Sequence, residues 1–465
     1  MEPAGSTLFY ALVVFLLLAP LYNGGHGPLP LLLLEVAAIA LLVVTAGGQR
    51  APAALPRTFL VGAGVLLVYP LVQLLPLPGA LWRALPGHDE YAAVLDRFAS
   101  HGAWAVWRAI SIVPSATEYG WLALLPPLAC LLAVLQLQPA HCRLLLLAMV
   151  AFTGLEALLG LLQVLLGGDP IFPLRIGQIL TAATGTFVDR NHLAAMLAMT
   201  LPVAVGWLAY SIRHGRHLQK SRRRKSAMPQ LLSQRLFVVL VLALILLCLM
   251  LTRSRVGIAA ALVGLAASAI VLMRTRARAP RAKRIGHLLI GVGILLAVAI
   301  GVSPILERIE PKDLTTVAVG RGVLPLAVLQ AATDFLPFGS GLSTFADVFP
   351  RYQAGKFGGR FAYPNNDYLQ AFMELGLAAP VIIALLLGAY AARTRELLRV
   401  EGGASFTLLQ MGAAVAMLPL IVHSAFDSAL QSPAIAMWFA ALTGVVFHEG
   451  AGASERDGDE RHGAP

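Results

Sequence analysis

Charge is scarce in this chain: 13% of its 465 residues are charged, against about 25% in soluble globular proteins. Apolar types make up 58% and the mean hydropathy is +0.76. No single soluble core hides that much apolar surface, so the composition predicts a polytopic membrane protein. Acidic residues are fewer than basic ones, 24 against 35, for a net charge of +11. Basic loops are what a membrane protein uses to set its orientation, so the excess does not make nucleic acid an expected partner. Cysteine is nearly absent. Cys130 and Cys248 fall in apolar runs and Cys142 beside one, which leaves no outside pair for a disulfide. The eleven histidines have no metal-ligand spacing, and P-loop and glycine-rich nucleotide fingerprints are missing. A primary ATP-driven pump and direct use of a nucleotide sugar are therefore not expected, nor is any cofactor or metal. The first apolar run lacks a charged leader and an Ala-x-Ala cleavage site, so it reads as a retained helix.

What the chain has in quantity is apolar runs near the roughly 20-residue spanning length. They fall at 7–22, 29–46, 58–75, 118–135, 144–166, 191–210, 236–252, 256–273, 286–303, 372–390, 405–423 and 433–448. The expected architecture is an all-α polytopic membrane protein of about 12 transmembrane helices with one large outside loop domain. Its parts are N-terminal helices 1–166 with an outside loop at 76–117, a core 167–303, the large loop 304–371, C-terminal helices 372–448 and a disordered tail 449–465. With the N-terminus inside, the clusters Arg213–Arg235, Arg274–Arg284 and Arg393–Arg399 all fall on the inner side, as does the tail. Both termini are then expected inside. Lys220–Lys225 reads as a topology anchor, with contact to anionic lipid as the other reading. Trp82, Trp104 and Trp107 in the first outside loop suit the headgroup level, so membrane lipids are expected partners.

Two stretches place an arginine at an outside helix start. In Gly185-Thr186-Phe187-Val188-Asp189-Arg190-Asn191-His192, either Asp189 or Asn191 can cap the following helix; in Thr252-Arg253-Ser254-Arg255, Ser254 can cap. A helix N-terminus favours an anion, so a pair of them, each bearing an Arg, makes a phosphate or diphosphate site. The other reading is that each Arg reaches to lipid headgroups. Farther on, Asp367, Gln370 and Glu374 recur at i, i+3 and i+7 on one face of an expected helix entering the membrane. His423 and Asp427 lie one turn apart near an outside helix end.

These motifs in this order, with Gly339-Ser340-Gly341, Phe345, Asn366-Asp367-Tyr368-Leu369-Gln370, Glu374-Leu375-Gly376 and Val422-His423-Ser424, resemble the O-antigen ligase and polymerase family over roughly residues 150–445. The resemblance implies a GT-C-like, metal-independent glycosyltransferase of the bacterial inner membrane, with both termini cytoplasmic and the active site periplasmic. Its donor would be an undecaprenyl-diphosphate-linked glycan. Its acceptor would be a lipid A-core, glycan or protein hydroxyl, in lipopolysaccharide or exopolysaccharide biosynthesis. Arg190 and Arg255 would be catalytic clamps on the diphosphate, and Asn191, His192, Asn365, Asn366 and Tyr368 would line the substrate.

The resemblance fails at one position. Ligases of the family carry a His just before the Asn-Asp-Tyr element, where this chain has Asn365, and an amide is no general base near neutral pH. Asp367 and then His423 are the substitutes expected to be catalytic. Two other classes stay open: a polysaccharide flippase or transporter, which would show repeated halves with broken helices, and a non-catalytic assembly subunit.

Overall fold

A bilayer supplies no water to backbone N–H and C=O groups, so apolar runs that enter it close their hydrogen bonds internally as helices. The computed structural model describes residues 3–47, 55–98, 107–168, 182–187, 189–219, 224–274, 291, 314–353, 360–399 and 405–449. Among these, seven helices are long and apolar enough to cross a membrane: Pro28–Ala46, Pro114–Gln136, Pro139–Leu166, Arg190–Ile212, Leu232–Leu251, Arg255–Arg274 and Phe406–His423. Ser6–Leu21, Arg57–Gln73 and Pro433–Phe447 are shorter apolar helices. The only strands among the described residues pair Pro76–Leu77 with Arg108–Ala109. The protein is an all-α polytopic membrane protein. The expected run at 286–303 apart from residue 291, Trp104, residues 304–313 and 354–359 of the large loop and the tail after Glu449 lie outside the described residues.

Two expected spans are built differently. The run at 118–135 lies in the Pro114–Gln136 span, which is interrupted by a turn at residues 123–124 between Pro114–Leu122 and Leu125–Gln136, the second part opening with prolines in its first turn, where no N–H is needed. The run at 372–390 is not one helix either. Asp367–Leu375 stops at Gly376, whose φ of 57° is left-handed, and Ala378–Arg399 starts anew. A Cβ on Gly376 would lie 2.2 Å from the carbonyl oxygen of Pro337, so only glycine fits this corner. Asp367, Gln370 and Glu374 therefore sit on a separate short helix, and not on one that runs on into the membrane.

The Arg190–Gln219 helix is the centre of the bundle, packed against Ser405–His423, Arg255–Arg274, Arg224–Leu251 and Pro139–Leu166. Its approach to Ser405–His423 needs small residues, since a Cβ on Gly206 would stand 2.9 Å from the Cα of Gly412. A second apolar core lies apart from the bundle. Phe335, Phe345, Phe349 and Met373 are buried there with Tyr91 and Ile112 packed against them, so the described residues of 76–98, 107–117, 314–353 and 360–373 form one cap.

Glu374 is the keystone of that cap. Its carboxylate accepts the backbone N–H groups of Ser343 and Phe345 at 2.9 and 3.2 Å and the Gln370 amide at 3.0 Å. Gln73 donates to the carbonyls of Phe338 and Glu374 and accepts the N–H of Leu342. The Gly339-Ser340-Gly341 and Glu374-Leu375-Gly376 motifs are thus a mutual brace, and Glu374 is held by backbone rather than by an Arg.

Candidate functional site

Helix ends from distant parts of the chain meet at one end of the bundle. Gly185, at φ 58°, is held by Gln163, which donates to its carbonyl at 2.7 Å and accepts its N–H at 2.8 Å. Thr186 donates its N–H and hydroxyl to Glu156 at 2.9 and 2.8 Å. The Gly-Thr-Phe motif is therefore a loop pinned by two buried polar side chains of the preceding helix. Sequence reasoning missed both, although an acid inside an apolar run is a signal in itself.

Beyond that loop, Asp189 caps the helix that opens at Arg190, accepting the N–H of Asn191 at 2.7 Å. Asn191 does a different job: its Oδ1 accepts the hydroxyl of Ser254 at 2.8 Å. Ser254 also caps its own helix by accepting the N–H of Gly257 at 3.1 Å, and Arg255 opens that helix. One hydrogen bond thus ties the two arginine-bearing helix starts together. Arg190 is exposed and Arg255 half-buried.

The third component comes from the other side of the cap. Asn366 caps the Asp367–Leu375 helix by accepting the N–H of Leu369 at 2.9 Å, and it donates to the carbonyl of Ala425 at 2.8 Å. The Asp367 N–H donates to Ser424 O at 2.9 Å and its Oδ2 accepts from Leu430 N–H at 3.1 Å. Tyr368 donates its hydroxyl to Ile421 O at 2.7 Å. The polar groups of Asn366 and Tyr368 are thus occupied in clamping this element to the 421–430 turn. Asn365 is exposed at φ 55°.

The resulting centre is a set of buried ionisable groups. His423, Asp427 and Asp367 are 0%, 3% and 6% exposed, and His423 Nδ1 lies 3.9 Å from Asp427 Oδ2. Among the described residues, both ring nitrogens of His423, Asp427 Oδ2 and Asp367 Oδ1 make no hydrogen bond. Burial, then the charge of Asp189 and more weakly that of Asp367, pushes Asp427 up to about 7. Burial raises Asp367 to about 6 against the pull of the Leu430 N–H. Both acids are placed to exchange a proton near neutral pH. His192 is buried beside them, within electrostatic reach of Asp189 and His423. Its ring meets His26 edge-on, 5.5 Å between centroids. Nothing in the sequence reading had singled out His26.

Residues 240–385 match the model of the family described as O-antigen ligase. The match supports the resemblance to the O-antigen ligase and polymerase family over that stretch. The matched stretch carries Ser254-Arg255, the glycine brace and Asn365 to Tyr368, while Arg190, His192 and His423 stand outside it. No curated protein matches the chain. The family that this stretch resembles is one of glycosyltransferase-like membrane enzymes that use a lipid-linked glycan donor and an acceptor.

Proposed function

We propose that this protein is a member of the O-antigen ligase/polymerase family and transfers or polymerises glycan from an undecaprenyl-diphosphate carrier onto an acceptor hydroxyl at the periplasmic face of the inner membrane. The observation that carries the reading is the 2.8 Å hydrogen bond between Ser254 and Asn191. It sets two helix N-termini and their arginines side by side next to a buried acid–imidazole cluster. In this reading the acceptor oxygen attacks the anomeric carbon, the bond from that carbon to the diphosphate oxygen breaks, and the oxygen keeps the electron pair. Arg190, Arg255 and the two helix dipoles meet the charge that grows there. The proton released from the hydroxyl ends on the buried set, with Asp367 as its leading final acceptor and His423 as the second. Asn191, His192 and Asn365 line the substrate, while Asn366 and Tyr368 hold the floor beneath it. The reading takes the chain as twelve GT-C-like spans with both termini cytoplasmic, and needs no metal.

The test is single-turnover transfer from an undecaprenyl-diphosphate-linked oligosaccharide to a labelled acceptor, using purified protein in lipid nanodiscs. Arg190→Ala and Arg255→Ala should each lower the rate at least tenfold, the loss of one charge-assisted contact of about 1.5–3 kcal/mol. Lys at either position should restore little, because an ammonium lacks the two-pronged fork of the guanidinium. Wild-type rates from either Ala variant would overturn the clamp.

A further inference from the structure

Asn23-Gly24-Gly25-His26-Gly27 joins the first two helices, and its backbone is left-handed at Asn23, Gly24, Gly25 and Gly27, with φ of 55°, 65°, 82° and 106°. The shape is fixed by packing. A Cβ on Gly24 would lie 2.7 Å from the ring of Phe187 and 2.8 Å from Ser432 Oγ; one on Gly25 would lie 2.8 Å from Leu34. Ser432 also donates its hydroxyl to the carbonyl of Gly24 at 3.1 Å. The loop is thus wedged between the 185–187 motif and the start of the last helix, and it carries one side chain able to exchange a proton. That side chain faces the site: its ring lies 5.5 Å from His192 and 6.2 Å from Tyr363, two residues before Asn365. A loop built of residues that tolerate φ above zero, at the cost of chain entropy, is the way a fold holds one group in a set place.

We propose that His26 is a catalytic residue of this site, the imidazole that takes the proton from the attacking acceptor hydroxyl; this rests on the glycan-transfer reading above. His423 is fully enclosed and His192 buried, whereas His26 is only half-buried and keeps some exposed surface. His192 is in electrostatic reach of both His26 and His423, and His423 Nδ1 in turn lies 3.9 Å from Asp427 Oδ2, which links the loop imidazole to the buried acids. Burial and then the charge of His192 hold His26 down to about 4, so it is neutral and able to accept at neutral pH. A diphosphate on the arginine clamp brings negative charge beside it, which favours the imidazolium and strengthens the base when donor is bound. As the oxygen–carbon bond forms and the carbon–diphosphate bond breaks, the hydroxyl proton moves to the His26 ring. From there it passes to water or inward to the carboxylates.

The experiment is the same single-turnover assay on wild type, His26→Gln and His26→Ala, with binding of undecaprenyl diphosphate measured in parallel. Transfer should fall about 10²–10⁴-fold in both variants while carrier binding stays within a few-fold. Added imidazole should restore part of the His26→Ala rate and none of the His26→Gln rate, a rescue that a purely structural role would not give. Should both variants misfold, carbethoxylation of the wild-type protein gives the answer: modification of His26, followed by peptide mass, should track the loss of transfer. Wild-type rates in folded His26 variants, no rescue by imidazole, or inactivation with His26 unmodified would each overturn the assignment and leave the transferase reading standing. A wild-type protein that transfers nothing would overturn both.

Discussion

Asp427 and Asp367 are the residues on which pH should act most directly. The usual value for an aspartate is 3.8, and in the folded protein Asp427 sits near 7. The folded state therefore holds this proton more tightly than the unfolded chain. The stability gained from it is complete below about 4 and is lost as pH rises from there to about 7. Asp367 slopes the same way up to about 6. Asp427→Asn, neutral at all pH, should melt higher than wild type at pH 8 and no higher at pH 4, as measured by thermal unfolding in detergent; equal melting at both would mean that Asp427 is already solvated. For Asp367, loss of an acid–base group predicts that Asp367→Asn lowers transfer at least about a hundredfold, whereas a rate within a few-fold of wild type would make it a clamp only. The candidacy of Asp367 was legible from its i, i+3, i+7 companions, Gln370 and Glu374, but what Glu374 does was not. Only the folded cap shows that Glu374 is spent on the N–H groups of Ser343 and Phe345. The place of Asn365 also becomes physical: φ 55° suits Asn, Asp or His better than most residues, so the amide meets a backbone need whatever its chemistry.

At the scale of elements, the sequence showed helix starts and missed what joins them. Periodicity and caps located the starts of the Arg190 and Arg255 helices to within a residue, because apolar runs and Asp or Ser caps are local signals. The bond from Ser254 to Asn191, 63 residues apart, has no local signal, and neither do the props from Glu156 and Gln163 under the Gly-Thr-Phe loop. The break at Gly376 was hidden for the same reason, since Pro337 forces it from across the cap. Ser254→Ala removes a cap worth about 1 kcal/mol and the tie to Asn191 together. The expected result is a melting temperature lowered by a few degrees and transfer lowered about tenfold or more, with Ser254→Thr close to wild type in both. An unchanged transfer rate in a destabilised Ser254→Ala would show that the two helix starts need no mutual alignment.

For the whole molecule, the question is which end of the bundle faces which compartment. His26, His192, Ser254, Asp367 and His423 meet at one end, although they come from five connections that a strict alternation of spans puts on the same side. The opposite end gathers basic residues and their partners: Arg143 donates to the Tyr210 hydroxyl, Arg235 to Ser211, and Arg393 to the carbonyls of Val446 and His448. Cytoplasmic loops carry the excess of Lys and Arg, so the second end should be cytoplasmic and the site should face the periplasm. Charge counting gives this expectation without any tertiary contact, because the rule acts on composition near helix ends. Reporter fusions after Lys225, Arg281 and Arg399 should then signal cytoplasm, and fusions at Ala103 and Gly355 periplasm. A periplasmic signal at both Lys225 and Arg399 would turn the molecule over, put Arg190 and Arg255 on the cytoplasmic side and remove the carrier-linked donor from their reach. Cytoplasmic signals at all five positions would instead mean that the alternation fails between them, with the cap on the same side as the basic loops.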